Sequence, residues 1–227
     1  MERIPEQDLM INEANARAYA EADFSEAHDA FVADYRAVFG DDNEERFVLD
    51  FGCGPCDVVI RLCRSFPRWR VHGVDGSLAM LQQARRALDK IPEIAWRVEL
   101  IHGVFGGLQG AALPRQTYDV IVSNSLLHHL HDASVMWETI WRYAAYKTRI
   151  YIVDLLRPIS TAGARQIVQR YAAGEPDILK QDFYNSLLAA YTLDEIVWQL
   201  HRAGLGYFSV RQISVCHAAI SAEMTHR

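Results

Sequence analysis

Residues 47–86 read FVLDFGCGPCDVVIRLCRSFPRWRVHGVDGSLAMLQQARR, and this stretch decides how the chain folds. Two short apolar runs within it each end at an acid, the first at Asp50 and the second at Asp75. Between them lie a glycine turn and a segment whose apolar residues recur at helical spacing. A strand, a tight turn, a helix and a second strand in this order predict one βαβ unit of a parallel sheet.

The glycine turn at residues 52–55, G-C-G-P, indicates what kind of ligand the unit can hold. Gly52 and Gly54 permit backbone conformations that other residues avoid, and they let a ligand approach the main chain closely. Asp75, at the end of the second strand, can accept hydrogen bonds from a ribose diol. A dinucleotide site would have a third glycine where this chain has Asp57, and an acid there repels a diphosphate. The pattern therefore favours a nucleoside ligand without phosphates.

Two motifs in register resemble a known enzyme family. The sequence D-F-G-C-G-P-C at residues 50–56 resembles the acid-x-G-x-G-x-G signature of class I S-adenosylmethionine (SAM)-dependent methyltransferases, with Cys56 in place of the final glycine. The sequence G-V-D-G-S-L-A-M at residues 73–80 is similar to the second motif of that family. The resemblance covers residues 46–158 and, more loosely, the rest of the chain. It implies an α/β fold: a Rossmann-like, seven-stranded, mostly parallel sheet with helices on both faces and a terminal antiparallel hairpin.

The same resemblance implies SAM as the cofactor and assigns its binding residues. A hydrophobic residue matching Met80 often lies against the adenine in this family, although core packing is an equal alternative for a methionine here. Many members carry an acid where this chain has Val104; either the backbone of Val104 and Phe105 replaces it or the acid lies elsewhere. The implied cofactor-binding residues are Asp50, Gly52, Cys53, Gly54, Asp75, Gly76, Met80, Val104, Phe105 and Asn124.

The length of 227 residues fits one domain with a small cap. Residues 1–45 are polar with helical patterns at 12–22 and 25–38, and they predict an N-terminal helical cap, which in the resembled family folds over the cofactor. Residues 46–227 then form the SAM-binding methyltransferase domain, with residues 161–190 as a helical insertion near the acceptor site. Further strands are predicted at 94–101, 118–124, 149–153, 207–213 and 215–222, and a T-x-x-E capping box at Thr192 opens a later helix.

Four residues are candidates for the acceptor side of the site. In the resembled family an aromatic residue of the N-terminal segment often touches the methionine end of the cofactor, which suggests Tyr19; packing within the cap is the alternative. The pattern L-x-H-H-L at residues 126–130 resembles a segment of small-molecule members, in which the residue matching His129 lines the active-site floor. Asp154 and Arg157 follow the fifth predicted strand, whose end faces the substrate crevice in open α/β sheets.

The histidines and cysteines predict no metal site. Three histidines occur within residues 128–131, but no H-E-x-x-H motif or cysteine pair at metal-ligand spacing accompanies them. Cys53 and Cys56 form a C-x-x-C pair, which can indicate redox chemistry or half of a zinc site. Because no second pair follows, the two cysteines are interpreted as part of the glycine turn.

Composition and charge argue against several classes of partner. The net charge of −6 gives no electrostatic footprint for duplex nucleic acid, and no N-P-P-Y motif indicates a nucleobase acceptor. No apolar run approaches the ~18–20 residues of a membrane span. The N-terminus lacks the basic and apolar segments of a secretory signal, and with four cysteines this favours the reducing cytoplasm.

The sequence therefore predicts a methyltransferase (EC 2.1.1.-) that transfers the methyl group of SAM to a small-molecule acceptor. A general base is needed only if the acceptor is protonated at the working pH. One alternative is an enzyme similar to carboxy-SAM synthase, in which Arg157 or Arg165 would hold a carboxylate. The other is a SAM-binding protein without catalysis. The acceptor, the atom methylated and the oligomeric state, a homodimer included, stay open.

Overall fold

The computed structural model describes residues 1–6, 13–103 and 113–225. Its centre is one seven-stranded sheet, as the sequence predicts. The strands are β1 (Arg46–Phe51), β2 (Trp69–Asp75), β3 (Val98–His102), β4 (Tyr118–Asn124), β5 (Ala144–Leu155), β6 (Ser209–Gln212) and β7 (His217–Glu223). They lie in the order β3-β2-β1-β4-β5-β7-β6, with β7 antiparallel to β5 and β6 and the other pairs parallel.

The strand order reverses between β1 and β4, and this reversal determines where a ligand can bind. β1 pairs with β2 on one side and with β4 on the other, so that Asp50 lies opposite both Gly73 and Val122. In doubly wound sheets the ligand crevice opens at the carboxyl ends of the strands beside such a reversal. The ends of β1, β2, β4 and β5 therefore meet at one edge of the sheet.

Helices surround the sheet throughout the part of the chain that the structure describes. Residues 127–129 form a single 3-10 turn shortly after β4. The helices are α1 (Glu13–Glu21), α2 (Ser25–Phe39), α3 (Asp57–Ser65), α4 (Leu78–Leu88), α5 (Pro92–Ala95), α6 (Ser134–Tyr143), α7 (Thr161–Tyr171), α8 (Asp177–Ala189) and α9 (Leu193–Arg202).

The two faces of the sheet carry separate apolar cores. Successive residues of β1 point to opposite faces, so that Val48 belongs to one buried cluster and Leu49 to the other. The cluster around Val48 includes Tyr35 of α2 and side chains of α3 and α4. The cluster around Leu49 includes Trp137 of α6 and Leu200 of α9. Helices on both faces, which the family resemblance implies, are thus confirmed.

The third strand begins later than the sequence pattern predicts. The pattern predicts a strand over residues 94–101, but the short helix α5 occupies Pro92–Ala95 and β3 starts at Val98, so the prediction was wrong for its first part. Pro92 favours the helix because its fixed φ suits a first helical turn, where a backbone N–H is not required. The guanidinium of Arg97 then donates to the carbonyl oxygens of Phe66 and Cys63 and fixes the end of α5.

The predicted insertion at residues 161–190 is helical and contains α7 and α8. The capping box after it is also confirmed. The hydroxyl of Thr192 accepts a hydrogen bond from the N–H of Glu195 at 3.3 Å, and the Glu195 carboxylate accepts one from the N–H of Thr192 at 2.8 Å. The expected antiparallel hairpin closes the sheet as β6 and β7.

Residues 1–6, here called the N-terminal strap, lie across α8 and the 3-10 turn. The N–H of Ile4 donates to the carbonyl of Leu188 at 3.0 Å. The guanidinium of Arg3 donates to the carbonyl oxygens of His128 and Leu130 at 2.9 and 2.8 Å, and it lies over the ring of Tyr191. The strap therefore connects α8 to the loop that follows β4. None of the described helices is both long and apolar enough to cross a membrane.

Candidate functional site

The glycine turn joins the end of β1 to the end of β2. Gly52 and Gly54 have φ values of +74° and +51°, a region that residues with a side chain rarely adopt. The N–H groups of Gly52 and Cys53 both donate to the carbonyl of Val74, at 2.8 and 3.0 Å. The N–H of Gly54 donates to Oδ2 of Asp75 at 2.8 Å. These bonds hold the turn against β2 before the chain enters α3.

The glycines of this region differ in what surrounds them. A Cβ on Gly52 would lie 3.0 Å from the side chain of Leu126, and one on Gly73 would lie 3.0 Å from that of Cys53. At Gly54, by contrast, no described atom beyond its chain neighbours would come within 4 Å of an added Cβ. Gly52 and Gly73 are therefore needed for packing, whereas Gly54 leaves space in which a ligand can approach the backbone.

Two acids flank this open space. Asp75 accepts hydrogen bonds from the N–H groups of Gly54 and Ser77, each at 2.8 Å. Burial raises the pKa of Asp75, and these two hydrogen bonds oppose the rise. Asp50 is buried at the end of β1, where burial and the charge of Asp75 raise its pKa to about 8. A cation beside Asp50 would offset both effects, so this edge suits a ligand with hydroxyl groups and an amino group.

Met80 and Tyr19 lie together on the adjacent side. Met80 of α4 is buried with Ala79 and Ala16, and Tyr19 of α1 packs against this cluster. Burial raises the pKa of Tyr19 to about 12, so the phenol keeps its proton at neutral pH. Both alternatives for Tyr19 stay compatible with this position, because the ring packs within the cap and also lines a groove of about 380 Å³ that reaches Pro55.

The start of α3 is already occupied by charged side chains. A carboxylate oxygen of Asp57 lies 2.5 Å from Nδ1 of His28 on α2 and forms an ion pair with Arg61 at 2.8 Å. The hydrogen bond from His28 is the largest of the effects that lower the pKa of Asp57 to about 2. A negative charge therefore stands at the helix terminus where a diphosphate would have to bind, in agreement with the prediction of a ligand without phosphates.

The loop after β4 is anchored by a buried histidine–aspartate pair. Asp154, only 1% exposed at the end of β5, accepts hydrogen bonds from the N–H of Leu127 at 2.6 Å and from Nδ1 of His128 at 2.7 Å. Burial would raise the pKa of Asp154, but the charge and hydrogen bond of His128 hold it below its usual range. Burial likewise opposes protonation of His128, yet Asp154 raises the pKa of this histidine.

This pair predicts a pH dependence of stability. Because the pKa of His128 is raised in the folded state, the protonated histidine stabilises the fold at pH values below its unfolded-state pKa of about 6.5. This contribution is lost as the pH rises through the folded-state pKa. The lowered pKa of Asp154 adds stability above about pH 4, which is lost on acidification. The pair is therefore expected to contribute most between about pH 4 and 6.5.

The measurement is the free energy of unfolding in urea at a series of pH values for the wild type and for His128→Gln. We expect the difference between them to shrink as the pH is raised above about 6.5, because the wild type then loses its charged pair. A difference that stays constant across this range would show that His128 is not protonated in the folded protein.

Beside this pair, His129 meets the N-terminal strap. Nδ1 of His129 lies 2.6 Å from Oε2 of Glu6, and the hydroxyl of Ser186 on α8 donates to Oε1 of Glu6 at 2.7 Å. Glu6, His128 and His129 bring three possible metal-ligand atoms within 4.8 Å of one another. Because Asp154 engages Nδ1 of His128 and Glu6 engages Nδ1 of His129, these pairs account for the cluster without an ion. The prediction that there is no metal site stays a prediction.

Arg157 is bound within the fold rather than directed into open space. Its guanidinium donates to Oε1 of Glu195 at 2.5 Å and to the carbonyl of Ala190 at 3.0 Å. Its side chain is 5% exposed, and its Nε has no hydrogen-bond partner among the residues that the structure describes. Arg165 lies exposed on α7 above the ring of Tyr184.

The structure brings most of the sequence-predicted residues to one edge of the sheet. Four neighbouring strands carry these residues at or next to their last position: Asp50, Asp75, Asn124 and Asp154. Gly76 follows β2, and its carbonyl accepts a hydrogen bond from His102 at 3.1 Å if Nε2 of that histidine carries the proton. Val104 and Phe105 lie outside the described residues.

The sequence analysis missed Glu6 and Ser186. Their contacts with the site join segments that are far apart in the chain, since 123 residues separate Glu6 from His129. The stretch around Glu6 shows no motif, so no local signal could have identified it.

Comparison with known proteins agrees with this geometry. Residues 49–149 match a family model described as a methyltransferase domain. The chain is 31% identical over 96 residues to trans-aconitate 2-methyltransferase of Azoarcus sp. (strain BH72), a match that covers 42% of this chain and 34% of that protein. The chain therefore spans about a third of the length of this relative.

Solved structures share the fold over nearly the whole chain. A SAM-dependent methyltransferase from Aquifex aeolicus has a TM-score of 0.66 at 18% identity, covering 94% of this chain and 99% of that one. The plantazolicin methyltransferase BpumL, in complex with a pentazolic desmethylPZN analog and SAH, has a TM-score of 0.66 at 15% identity, covering 95% and 90%. These structures establish the fold, and the family model matches the region that carries the motifs. The resemblance is thereby confirmed for residues 49–149, which match a methyltransferase domain, and the chain shares its fold with a SAM-dependent methyltransferase.

Proposed function

We propose that the chain is a SAM-dependent methyltransferase that acts on a small-molecule acceptor. The observation that carries this proposal is the open backbone at Gly54, which lies between two strand-end acids. The names of the relatives support it, since trans-aconitate is a small molecule and BpumL was solved with SAH.

The residues at this edge fit the chemical groups of SAM. Each oxygen of Asp75 already accepts one backbone hydrogen bond and has a further lone pair for a ribose hydroxyl. Asp50, whose pKa burial raises to about 8, suits the amino group of the methionine part. Met80 offers a buried apolar surface to the adenine, and the open side of Gly54 admits the ligand. Bound SAM supplies a methyl group on a positively charged sulfur, which is an activated electrophile.

The task of the protein is then to align the acceptor with that methyl group and to exclude water. We propose that the cap, residues 1–45, covers the cofactor through α1 and places Tyr19 beside it. The acceptor would lie between the strand ends, the 3-10 turn and α8. In this arrangement Asp154 acts as a positioning residue for the His128 loop, and Arg157 fixes the start of α9 through Glu195.

The contacts of Arg157 favour methyl transfer over the carboxy-SAM alternative. An enzyme of that kind would need a cation near the methyl group to hold a carboxylate. Arg157 is engaged by Glu195 and Ala190, and Arg165 is exposed on α7. The guanidinium of Arg157 is therefore already paired with an acid, which disfavours it as that cation. The free thiols of the buried Cys53, Cys56, Cys63 and Cys216 fit our further proposal of a reducing, cytoplasmic location.

Replacing Asp75 by alanine tests the cofactor site. We expect the wild type to bind both SAM and SAH, and Asp75→Ala to bind them about 10–100-fold more weakly, because removing a hydrogen-bonded carboxylate costs about 1.5–3 kcal/mol. Isothermal titration calorimetry gives the affinities, and circular dichroism checks that the variant is folded.

Asp89→Ala is the matched control, because Asp89 is an exposed acid at the end of α4. We expect its affinities to equal those of the wild type. Absence of SAM and SAH binding in the folded wild type would refute the methyltransferase proposal. Equal affinities in wild type and Asp75→Ala would refute the role of Asp75.

A further inference from the structure

We propose that His129 accepts a proton from the methyl acceptor and that Glu6 of the N-terminal strap is the positioning residue for this histidine. The acceptor atom then carries a proton before transfer, as in an amine or a hydroxyl group, and is not a carboxylate. This inference rests on the proposed methyltransferase function and names the substrate class of the same site.

The carboxylate of Glu6 is held at both oxygens. Ser186 on α8 donates to Oε1 at 2.7 Å, while Nδ1 of His129 lies 2.6 Å from Oε2. The two side chains of the pair are 13% and 15% exposed, so little water competes for these contacts. Burial would raise the pKa of Glu6, but the hydrogen bond from His129 lowers it and keeps the carboxylate charged.

A charged carboxylate beside Nδ1 favours one tautomer of the neutral imidazole. Nδ1 must carry a proton in order to donate to Glu6, so in the neutral ring Nε2 is bare and is free to accept a proton. Once Nε2 is protonated, Glu6 lies against the resulting positive charge and stabilises it. This is the relation between a base and the group that orients it, here built from two segments 123 residues apart in the chain.

His129 lies where an acceptor would meet the cofactor. It follows β4, and its ring stacks on that of His128 with centroids 4.0 Å apart. Burial raises the pKa of Asp75, and the charge of His129 is among the effects that oppose this rise, so the two groups are electrostatically coupled. The charged groups that face His129 are Glu6 of the strap, His128 and Asp154 of the loop anchor, Asp75 of β2 and Asp182 of α8.

The charges around this position disfavour a carboxylate acceptor. Asp182 lies one helical turn before Ser186, and its buried Oδ2 has no hydrogen-bond partner among the described residues. Burial and the charge of Glu6 raise the pKa of Asp182. The nearby guanidinium of Arg3 already donates hydrogen bonds to the backbone carbonyls of His128 and Leu130. A carboxylate at this position would therefore meet the acids Glu6 and Asp182, whereas a group that donates N–H or O–H would find acceptors there.

The transfer step needs no reactant other than the acceptor, SAM and His129. The lone pair of the acceptor forms a bond to the methyl carbon as the bond between that carbon and sulfur breaks, and the bonding electrons remain on sulfur. Nε2 of His129 takes the proton that the acceptor atom loses. The histidine later returns this proton to water.

The structural part of the proposal is tested by ¹⁵N-histidine NMR, which needs no acceptor. In the neutral imidazole, observed at alkaline pH, we expect His129 of the wild type to carry its proton on Nδ1. In Glu6→Ala we expect a shift toward the Nε2-protonated form, while Glu2→Ala, an exposed acid of the same strap, leaves the spectrum unchanged. The spectrum of His129→Gln assigns the signal. An unchanged signal in Glu6→Ala would overturn the pairing.

The acceptor class is tested with methyl-labelled SAM and three pools of small molecules: amines, hydroxyl compounds and carboxylic acids. We expect the labelled product to appear in the amine or hydroxyl pool and to keep its methyl group in alkali. Methyl esters of acids, by contrast, release methanol in alkali, whereas N-methyl and O-methyl ether products do not. With the acceptor so found, Glu6→Gln is expected to lower kcat about 10–100-fold, with KM for SAM unchanged, and to displace the acid limb of the rate–pH profile.

The outcomes separate the two proposals. If SAM binds but label appears only as alkali-labile ester, or in none of the pools, the inference about the acceptor is overturned while the cofactor site stands. If EDTA abolishes transfer, the cluster acts through a metal ion and the inference fails. If SAM does not bind, the proposed function itself fails.

Discussion

Replacing Asp154 by alanine is expected to lower the free energy of unfolding by about 3–5 kcal/mol, because breaking this buried pair leaves the imidazole of His128 and the N–H of Leu127 without their acceptor. Asp154 is 1% exposed and its partner His128 is 2% exposed. The same carboxylate also accepts the N–H of Leu127, so the 3-10 turn loses its anchor as well. Urea denaturation followed by circular dichroism measures the loss.

The matched control is again Asp89→Ala, an exposed acid, which should change the free energy of unfolding by no more than about 0.5 kcal/mol. A double-mutant cycle with His128→Ala separates the pair from the remaining contacts. We expect the double variant to be much less destabilised than the two single changes together, because the second substitution removes the buried imidazole that the first leaves without its partner. A loss below about 1 kcal/mol in Asp154→Ala, typical of a single neutral hydrogen bond, would contradict the ion-pair account.

Most of the fold could be predicted because local patterns determine it. The fourth strand was predicted at residues 118–124, and β4 spans Tyr118–Asn124. Apolar runs that end at a polar residue mark the buried strands of a parallel sheet, and glycines mark the turns between strand and helix. The prediction of the third strand was wrong at its start, because an apolar residue such as Ile94 suits a buried helical turn as well as a strand. Pro92 favours the helix here.

Only the part of the site that is formed by residues close together in the sequence could be predicted. Asp75 and the glycine turn lie within one βαβ unit, so their proximity follows from the sequence order. The pairing of Glu6 with His129 depends instead on how the strap crosses α8, which no nearby residue specifies. Position at a strand end also does not reveal how a side chain is used. Asp154 stands at such an end, but the sequence could not show that its carboxylate is taken up by His128 and the turn.

The second large effect on stability is expected from a substitution in the glycine turn. Gly52→Val is expected to lower the free energy of unfolding by about 2–5 kcal/mol, since a left-handed conformation costs a residue with a side chain about 1–2 kcal/mol and overpacking costs a further 1–3. The φ of Gly52 is +74°, and its Cβ would lie 3.0 Å from Leu126. Leu126 directly precedes the 3-10 turn, so it cannot withdraw without moving the loop that carries His129.

Gly174→Val is the matched control for this substitution. Gly174 is exposed between α7 and α8, and nothing described lies within 4 Å of an added Cβ, so the change should alter the free energy of unfolding by no more than about 0.5 kcal/mol. Thermal and urea denaturation of both variants measure the contrast, and calorimetry with SAH measures its effect on the site. We expect Gly52→Val to lose SAH binding even at temperatures where it stays folded, because the displaced turn no longer presents the N–H of Gly54 to Asp75. Wild-type stability in Gly52→Val would mean that the turn adapts without strain, and the requirement for glycine at this position would then lie in the cofactor alone.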